Sequence, residues 1–377
     1  MAAASVRDRS GTGNRTNKTG RAAPRGRHEV ADRVYLDWNA TAPLRPEART
    51  AMAEAMEIVG NPSSVHAEGR AARGAVERAR AQVAAALGAE EADIVFTSGA
   101  TEAAALALAG RGLAGSGVEH DAVKAWAEGA LPVDGQGRVT VDDPARATLQ
   151  LANSETGVVQ DLPEGLAVSD LTQGFGKIPF AFNWLGVEMG FVSAHKIGGP
   201  KGVGALVLKP GTELAARIRG GGQEMGRRSG TENVVGIAGF GAAAEAAARD
   251  LADGVWERVE ELRNILEISL DVCEKGIILV GHSARRLPNT TCVAVPGWKG
   301  ETQVMQMDLA GFAVSAGSAC SSGKARASGV LEAMGLPPAA AQGAIRVSLG
   351  PGVREEQVRR FAEVWRARLE RHKARAA

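Results

Sequence analysis

The spacing of hydrophobic residues divides the chain into short buried strands and longer amphipathic helices. Apolar runs predict strands over residues 93–97, 148–152, 166–169, 191–194 and 203–208. Apolar residues at every third or fourth position predict helices over residues 68–87, 235–249 and 255–270 and from residue 354 onward. Because strands alternate with helices, we predict an α/β fold with a mainly parallel sheet covered on both faces.

Proline and glycine positions indicate where several helices begin and end. Pro46 suits the first residue of a helix and Gly60 its end, and Gly88 is placed to close the next helix. Further strands are expected near Ile277 and Thr291. The last third of the chain is therefore expected to form a smaller α+β domain.

The length predicts two domains, because 377 residues exceed what one compact core usually holds. We assign residues 33–250 to a large domain and residues 251–377 to a small C-terminal domain, with packing of residues 33–45 against the small domain as an alternative. Residues 1–32 form a basic extension in which Asp8 is the one acid among the first 28 residues. This composition predicts a disordered tail or a mis-assigned start, with a transit peptide as the alternative.

The overall charge gives no reason to expect nucleic-acid or membrane partners. The formal net charge is +1, aromatic residues make up 4% of the chain, and there is a single Tyr. A protein that binds single-stranded nucleic acid needs a basic surface and aromatic side chains on which bases stack, and neither is indicated here. No stretch approaches the run of about 18 apolar residues that a membrane-spanning helix needs.

The three cysteines are too few and too scattered for a disulfide framework or a tetrahedral zinc site. Such thiols fit a reducing compartment, so we expect a cytoplasmic protein, with an organellar matrix as the alternative. Cys292 lies in an apolar run typical of inert core packing. Cys320 lies in a small, polar, glycine-flanked loop, where a thiolate can be exposed. A chance thiol in a linker, or a structural turn, is the alternative for Cys320.

Three segments following predicted strands carry candidate chemistry. The turn at residues 98–101 opens a helix, whose free N–H groups can bind phosphate, although Ser98 could simply cap that helix. Lys196 stands at a strand end before a glycine-rich loop, where burial would make its amine a nucleophile toward an aldehyde. Asp170 follows another strand and suits a ligand crevice, with a helix N-cap as the alternative.

Taken together, the motifs resemble those of the cysteine desulfurases, within the class V aminotransferase-like branch of pyridoxal 5'-phosphate (PLP) enzymes of fold type I. The likeness begins at Tyr35 and runs in order along nearly all of the remaining chain. The matching segments are YLDWNAT at 35–41, GNPSSVH at 60–66, TSGATE at 97–102, EH at 119–120, ETG at 155–157, Asp170 with Gln173, SAHK at 193–196, GGGQE at 220–224, RSGTEN at 228–233, SACSSG at 318–323 and AIRVSLG at 344–350.

The resemblance implies a PLP enzyme in which Lys196 binds the cofactor covalently and Asp170 pairs with the ring nitrogen. His120 would stack on the ring, while Gln173 and Ser154 would approach its oxygen. Phosphate contacts are implied for Ala100, Thr101, Ser193 and His195, and for Thr231 from the other subunit of a homodimer.

The resemblance also implies the reaction and its partners. Arg346 would bind the carboxylate of L-cysteine, with Asn39 nearby. Cys320 would attack the substrate sulfur, keep it as a persulfide and release alanine. The sulfur would pass to an acceptor or iron–sulfur scaffold protein. No intrinsic metal is expected, although Cys320 could contact a cluster on such a partner.

Several departures from the family pattern leave alternatives open. Ser154 stands where the family usually has a second Asn, and Ala104 and Ala105 replace an expected Asn pair. The chain also looks shorter than the family between 110 and 119, between 123 and 153, and between 160 and 170. A selenocysteine lyase, an aminotransferase or a trimmed non-catalytic paralogue are therefore the alternatives to an active desulfurase.

Overall fold

Strands and helices in the computed structural model follow the hydrophobic pattern closely. The structure describes residues 33–271, 276–317 and 327–376, and Arg33–Ala377 form one structural unit. The basic extension lies outside the described residues. The strands are β1 (Val34–Tyr35), β2 (Asp93–Thr97), β3 (Gly115–Ser116), β4 (Ala130–Leu131), β5 (Leu166–Asp170), β6 (Val187–Ser193), β7 (Gly204–Leu208), β8 (Ile278–Leu279), β9 (Thr290–Ala294), β10 (Phe312–Ala313), β11 (Ser315–Ala316) and β12 (Ala344–Ser348). The helices are α1 (Pro46–Met56), α2 (Ala67–Leu87), α3 (Ala100–Leu108), α4 (Asp121–Lys124), α5 (Val234–Ala252), α6 (Val255–Asp271), α7 (Gly300–Leu309), α8 (Gly329–Ala333), α9 (Pro338–Gln342) and α10 (Glu355–Ala376).

The larger part of the protein is built on a sheet with the strand order β2-β7-β6-β5. β5 and β6 pair in parallel, and β7 is antiparallel to both of its neighbours, so β2, β6 and β5 all run in the same direction. Beyond β5, Thr148 pairs with Val168 in parallel, and Ala147 pairs in parallel with Ala114. The sheet is therefore mainly parallel, as the predicted fold class requires.

Alternate residues of each strand supply two hydrophobic cores, one on each face of the sheet. Val95 and Leu206 pack with helix α3 on one face. Phe96, next to Val95 along the strand, packs on the opposite face against α2 and α5, where it contacts Phe240 edge to face. A strand buried on both sides must be apolar throughout, which explains the continuous hydrophobic runs.

One predicted strand does not form. Residues 148–152 make only isolated bridges, from Thr148 to Val168 and from Ala152 to Val159. The chain turns back at Asn153, whose carbonyl accepts a hydrogen bond from the N–H of Gly157. The prediction of a regular strand here was wrong, because the turn limits the pairing with β5 to a few bonds.

The helix ends agree with the sequence signals in one case and differ in another. Gly88 closes α2 in the left-handed conformation, with φ of 58°. Helix α1 ends at Met56, before the predicted end at Gly60. Gly60 instead allows its backbone to pass close to that of Glu68, since a Cβ there would lie 1.9 Å from the carbonyl oxygen of Glu68.

A second sheet, ordered β11-β12-β9-β8, organises the C-terminal part with its own core. That core includes Trp298, Trp365 and Phe361 from the loops and helices around the sheet. Val34 and Leu36 pack in the same core, and β1 pairs with β10. The domain boundaries stay a prediction, and these contacts favour the alternative in which residues 33–45 pack with the smaller part.

The stretch between residues 160 and 170 contains no helix, and a cavity of about 650 Å³ lies beside it. Leu162, Phe180 and Trp256 are among the residues that line it. Trp184, on the same cavity, is 88% exposed. Within the described residues, no helix combines the length and the apolar character needed to cross a membrane.

Candidate active site

Lys196 lies at the end of the longest strand of the larger sheet. β6 ends at Ser193, and a short 3-10 turn over Ala194–Lys196 carries the lysine beyond the sheet. Its Nζ donates hydrogen bonds to the main-chain oxygens of Asn39, at 2.8 Å, and Ala40, at 2.9 Å. The N-terminal segment thus holds the amine at the carboxyl edge of the sheet.

Asp170 ends β5, the parallel neighbour of β6, and so lies at the same edge of the sheet. Its Oδ1 accepts a hydrogen bond from the N–H of Thr172 at 2.9 Å. Burial raises the pKa of the Asp170 carboxyl, while the Thr172 hydrogen bonds and positive charge on His120 and Lys196 oppose that shift. His120, Asp170 and Lys196 are therefore close enough to interact electrostatically.

His120 is an exposed residue that caps the short helix α4. Its Nδ1 accepts a hydrogen bond from the N–H of Ala122 at 3.1 Å. That hydrogen bond holds the ring at the N-terminus of α4. The structure thus places His120 near Asp170.

The first turn of α3 and the end of β6 form a polar corner. A Cβ at Gly99, the N-cap of α3, would lie 3.9 Å from Oγ of Ser193. His195 follows, and its Nδ1 is buried without a hydrogen-bond partner among the described residues. Burial, together with the charges of Lys196 and other lysines, lowers the pKa of His195 to about 4, so the ring is neutral near pH 7. Thr101 lies exposed in the same first turn of α3.

Thr231 and Ser98 line one cavity of about 250 Å³. The N–H of Ser98 donates to Oε2 of Glu102 at 2.8 Å, and Glu102 pairs with Arg228 at 2.8 Å. These contacts bring the predicted phosphate-binding threonine close to the start of α3 within a single chain.

Arg346 comes from β12 of the second sheet and reaches the same region. Its Nη2 pairs with Oδ1 of Asp37 at 2.6 Å, and its Nη1 donates to the main-chain oxygen of Ser154 at 3.0 Å. Nε of Arg346 is buried without a partner among the described residues. The guanidinium is thus oriented by two contacts and has a donor left over.

Asn39 connects both sheets through its side-chain amide. Nδ2 donates to the main-chain oxygen of Ser154 at 3.1 Å and to Oγ1 of Thr290 at 2.8 Å. Oδ1 accepts from Nδ2 of Asn289 at 3.1 Å and from Nζ of Lys177 at 2.9 Å. All four hydrogen-bonding positions of this amide are filled by protein, so the predicted substrate contact would have to replace one of these bonds.

Two buried carboxyl groups adjoin the site. Burial, with the charge of Asp170 adding to it, raises the pKa of Glu119 to about 8, although Oε1 accepts from the N–H of Gln150 at 2.9 Å. Burial raises the pKa of Glu155 to about 7, against a hydrogen bond from Oγ of Ser328 at 2.8 Å. Both carboxyls are therefore shifted toward the protonated form near neutral pH.

Of the two cysteines singled out in the sequence, the structure describes one. Cys292 is buried in β9, and burial raises the pKa of its thiol well above the ordinary value, which makes it inert. Cys320 lies outside the described residues. Gly317 and Ser328, on either side of its segment, both lie against Glu155, since a Cβ on Gly317 would come within 2.1 Å of Oε1.

The structure thus brings residues from distant parts of the sequence to one place. The predicted residues that meet around the edge of the larger sheet are Asn39, Ala100, Thr101, His120, Ser154, Asp170, Gln173, Ser193, His195, Lys196 and Arg346. Sequence reasoning missed Lys177 and Asp37. The only available signal for Lys177 was its position inside an otherwise apolar and glycine-rich stretch, residues 174–180. No group of three or more His, Cys, Asp or Glu side chains within the described ranges could hold a metal ion.

Sequence comparison assigns the family. Residues 34–361 match the family described as Aminotransferase class-V. This chain is a class-V aminotransferase family member. It is 41% identical to a cysteine desulfurase of Cereibacter sphaeroides, in an alignment of 371 residues that covers 88% of this chain and 95% of the relative. It is 37% identical to the cysteine desulfurase IscS of Dictyoglomus turgidum, covering 84% and 89% of the two chains. Within the class-V family, the chain therefore belongs with the cysteine desulfurases.

Solved structures agree with this assignment. A NifS-like protein from Rickettsia africae superimposes with a TM-score of 0.82 at 32% identity, covering 90% of this chain and 99% of that protein. A structure described as SspA in complex with cysteine matches with a TM-score of 0.70 at 27% identity, covering 84% and 99% of the two chains. The class-V fold is thus present over nearly the whole length of these proteins.

Proposed function

We propose that this protein is a PLP-dependent cysteine desulfurase that takes sulfur from L-cysteine, forms L-alanine and carries the sulfur on Cys320. The observation that carries the proposal is the meeting of Lys196, Asp170 and His120 at one edge of the sheet. Arg346 joins them there, because the main-chain oxygen of Ser154 accepts hydrogen bonds from both Arg346 and Asn39. The family assignment and the names of the relatives support it.

The residues present fit PLP. The corner of Gly99, Ser193 and neutral His195 offers helix N–H groups, a hydroxyl and a buried imidazole nitrogen without a partner, which suits a phosphate group. Asp170 supplies a carboxylate for a ring nitrogen, and Lys196 supplies an amine for an aldehyde. When bound, PLP supplies an electron sink that makes the bonds at the substrate's α-carbon labile.

The protein's own groups would orient the substrate and move its protons. Arg346 is held by Asp37 and Ser154, and its unpartnered Nε can donate to the carboxylate of L-cysteine. Nζ of Lys196 would take the proton from the substrate's α-carbon and return a proton as alanine forms. His120, placed beside Asp170, would cover the ring face and limit access of water.

Cys320 would accept the sulfur. Its thiolate attacks the substrate sulfur, a sulfur–sulfur bond forms, and the carbon–sulfur bond breaks with its electron pair passing to the substrate carbon. That carbon then takes up a proton, so cysteine and one enzyme thiol give alanine and one persulfide. A thiolate suits this role because it is nucleophilic near neutral pH and can pass the sulfur on.

The partners of the reaction follow from the same proposal. The persulfide needs a protein or small-molecule sulfur acceptor, and an iron–sulfur scaffold is the kind we expect. A homodimer would bring Thr231 of one subunit to the phosphate of the other. A cytoplasmic location also stays a prediction.

The direct test is to incubate the purified, PLP-loaded protein with L-cysteine and a thiol reductant and to measure alanine and sulfide. We expect the two products in equal amounts, with Cys320→Ser producing almost none and Cys292→Ala, the matched buried-cysteine control, keeping most of the activity. If Cys320→Ser matched the parent protein, or if transamination products replaced alanine, the desulfurase proposal would be wrong.

A further inference from the structure

Lys177 is a buried lysine with no part in the proposed reaction. Its side chain is 2% exposed, and none of the ion pairs among the described residues includes it. Its Nζ donates to Oε1 of Gln173 at 2.6 Å and to Oδ1 of Asn39 at 2.9 Å. A lysine whose amine contacts only amide oxygens in the interior carries a desolvation cost that a methionine of similar size would avoid.

The two hydrogen bonds fix the orientation of two amides. Nζ of Lys177 donates to both side chains, so Asn39 and Gln173 turn their amide oxygens toward it. The amide nitrogen of Asn39 then faces Ser154 and Thr290. The amide nitrogen of Gln173 then faces the main-chain oxygen of Asn39, to which it donates at 3.0 Å.

The main-chain oxygen of Asn39 also contacts Lys196, the lysine proposed to bind PLP. Nζ of Lys196 donates to the carbonyl of Asn39 at 2.8 Å, so this oxygen accepts from Gln173 and Lys196 together. Both lysine amines therefore contact Asn39, whose side chain shares the main-chain oxygen of Ser154 with Arg346. Positive charge on Lys196 and Arg346 adds to burial in lowering the pKa of Lys177.

We propose that Lys177 is a positioning residue, which holds Asn39 and Gln173 so that the carbonyl of Asn39 keeps Lys196 at the cofactor. The proposal rests on the proposed function, because it takes Lys196 as the lysine that binds PLP. It assigns no chemical step to Lys177, whose amine contacts Asn39 and Gln173.

The test compares Lys177→Met, Lys177→Gln and Lys209→Met. Methionine keeps the volume and removes the donor, glutamine restores a neutral donor, and Lys209 is an exposed lysine that serves as the matched control. Removing the donor takes the partner of Oε1 of Gln173 and leaves Oδ1 of Asn39 with Asn289 alone. We therefore expect Lys177→Met to weaken PLP binding about tenfold and to lower kcat per bound PLP about tenfold or more.

Three readouts separate positioning from simple packing. PLP affinity is measured by titration of the apoprotein, kcat and KM are measured for L-cysteine at saturating PLP, and the melting temperature is measured without PLP. Positioning predicts a melting temperature near that of the parent, and recovery of much of the loss in Lys177→Gln. If Lys177→Met binds PLP and turns over like the parent, or if only the melting temperature falls in both variants, the proposal is wrong.

Failure of the proposed function would look different. If the parent protein did not convert L-cysteine, the desulfurase proposal would fail, while the PLP titrations of the variants would still decide the role of Lys177. If the parent converted L-cysteine and the PLP titrations of the parent, Lys177→Met and Lys177→Gln coincided, only the positioning role of Lys177 would be disproved.

Discussion

Two groups of buried charged side chains in this protein are built in opposite ways. In the smaller part, Arg286 binds both carboxylate oxygens of Glu267, at 2.7 and 2.8 Å, and Thr291 adds a hydrogen bond at 2.8 Å. Burial raises the pKa of Glu267, but the hydrogen bonds and charge of Arg286 outweigh it and lower the pKa below its ordinary value. Every charge in this group has its partner within the fold.

The second group, at the edge of the larger sheet, has no such complete pairing. It consists of Glu119, Glu155, His195 and Arg346. Glu119 and Glu155 have pKa values raised to about 8 and about 7, and the pKa of His195 is lowered to about 4. Buried atoms of Glu155, His195 and Arg346 have no hydrogen-bond partner among the described residues. Perturbed and unsatisfied groups of this kind are typical of functional sites, where a ligand supplies the missing partners. The comparison predicts that changes in the first group reduce stability and changes in the second reduce function.

The largest effect is expected for Lys196→Ala. Loss of the amine removes both the covalent attachment of PLP and the proposed base, so we expect turnover of L-cysteine to fall about a thousandfold or more. Borohydride reduction of the parent followed by peptide mapping should place the cofactor on Lys196 and not on the buried Lys177. A reduced adduct on Lys177 would reverse the assignment of the two lysines.

Arg286→Met should act on stability alone. The change leaves Glu267 as an uncompensated buried charge, which costs about 3–5 kcal/mol. Denaturant unfolding of the apoprotein measures this loss, and PLP affinity of the remaining folded protein should not change. Arg285→Met is the matched control, because the pair of Arg285 with Asp161 is exposed and its removal should cost less than about 1 kcal/mol. Equal losses for the two variants would contradict the comparison.

Glu119→Gln should change how stability depends on pH. Between about pH 4.5 and about pH 8, folded Glu119 keeps a proton that the unfolded chain has lost, so its contribution destabilises the fold increasingly as the pH rises. Glutamine removes that contribution and can still accept the hydrogen bond from Gln150. Relative to the parent, the variant should gain up to a few kcal/mol, about 1.4 per pH unit, on going from pH 5 to about pH 8.

The control for this prediction is Glu128→Gln, an exposed residue at which the same substitution should leave the pH dependence of unfolding unchanged. The measurement is the free energy of unfolding of the apoprotein at several pH values. If the difference between Glu119→Gln and the parent did not vary with pH, Glu119 would be ionised in the folded protein, contrary to this account.

The sequence was sufficient for elements whose signals are local. Lys196 and Asp170 each follow a short apolar strand, and the structure places both at one sheet edge, since the carboxyl ends of parallel strands meet there. Lys177 could not be found in this way, because its burial depends on Asn39, which is 138 residues away in the chain. The pairing of Arg346 with Asp37 spans 309 residues and likewise leaves no local signal.

The missing strand at residues 148–152 has a similar explanation. Its residues are apolar enough for a strand, but the turn at Asn153 limits the pairing with β5, and that turn is not visible in the hydrophobic pattern. Tertiary context therefore overrode a local preference at this point.

The central claim is that L-cysteine leaves its sulfur on Cys320. The measurement is a single turnover of the PLP-loaded protein with L-cysteine in the absence of reductant, followed by mass spectrometry of the peptides that contain Cys273, Cys292 and Cys320. We expect alanine equal to the amount of protein and one additional sulfur atom on the Cys320 peptide alone. Alanine formation with an unmodified Cys320, or sulfur found on another cysteine, would contradict the account.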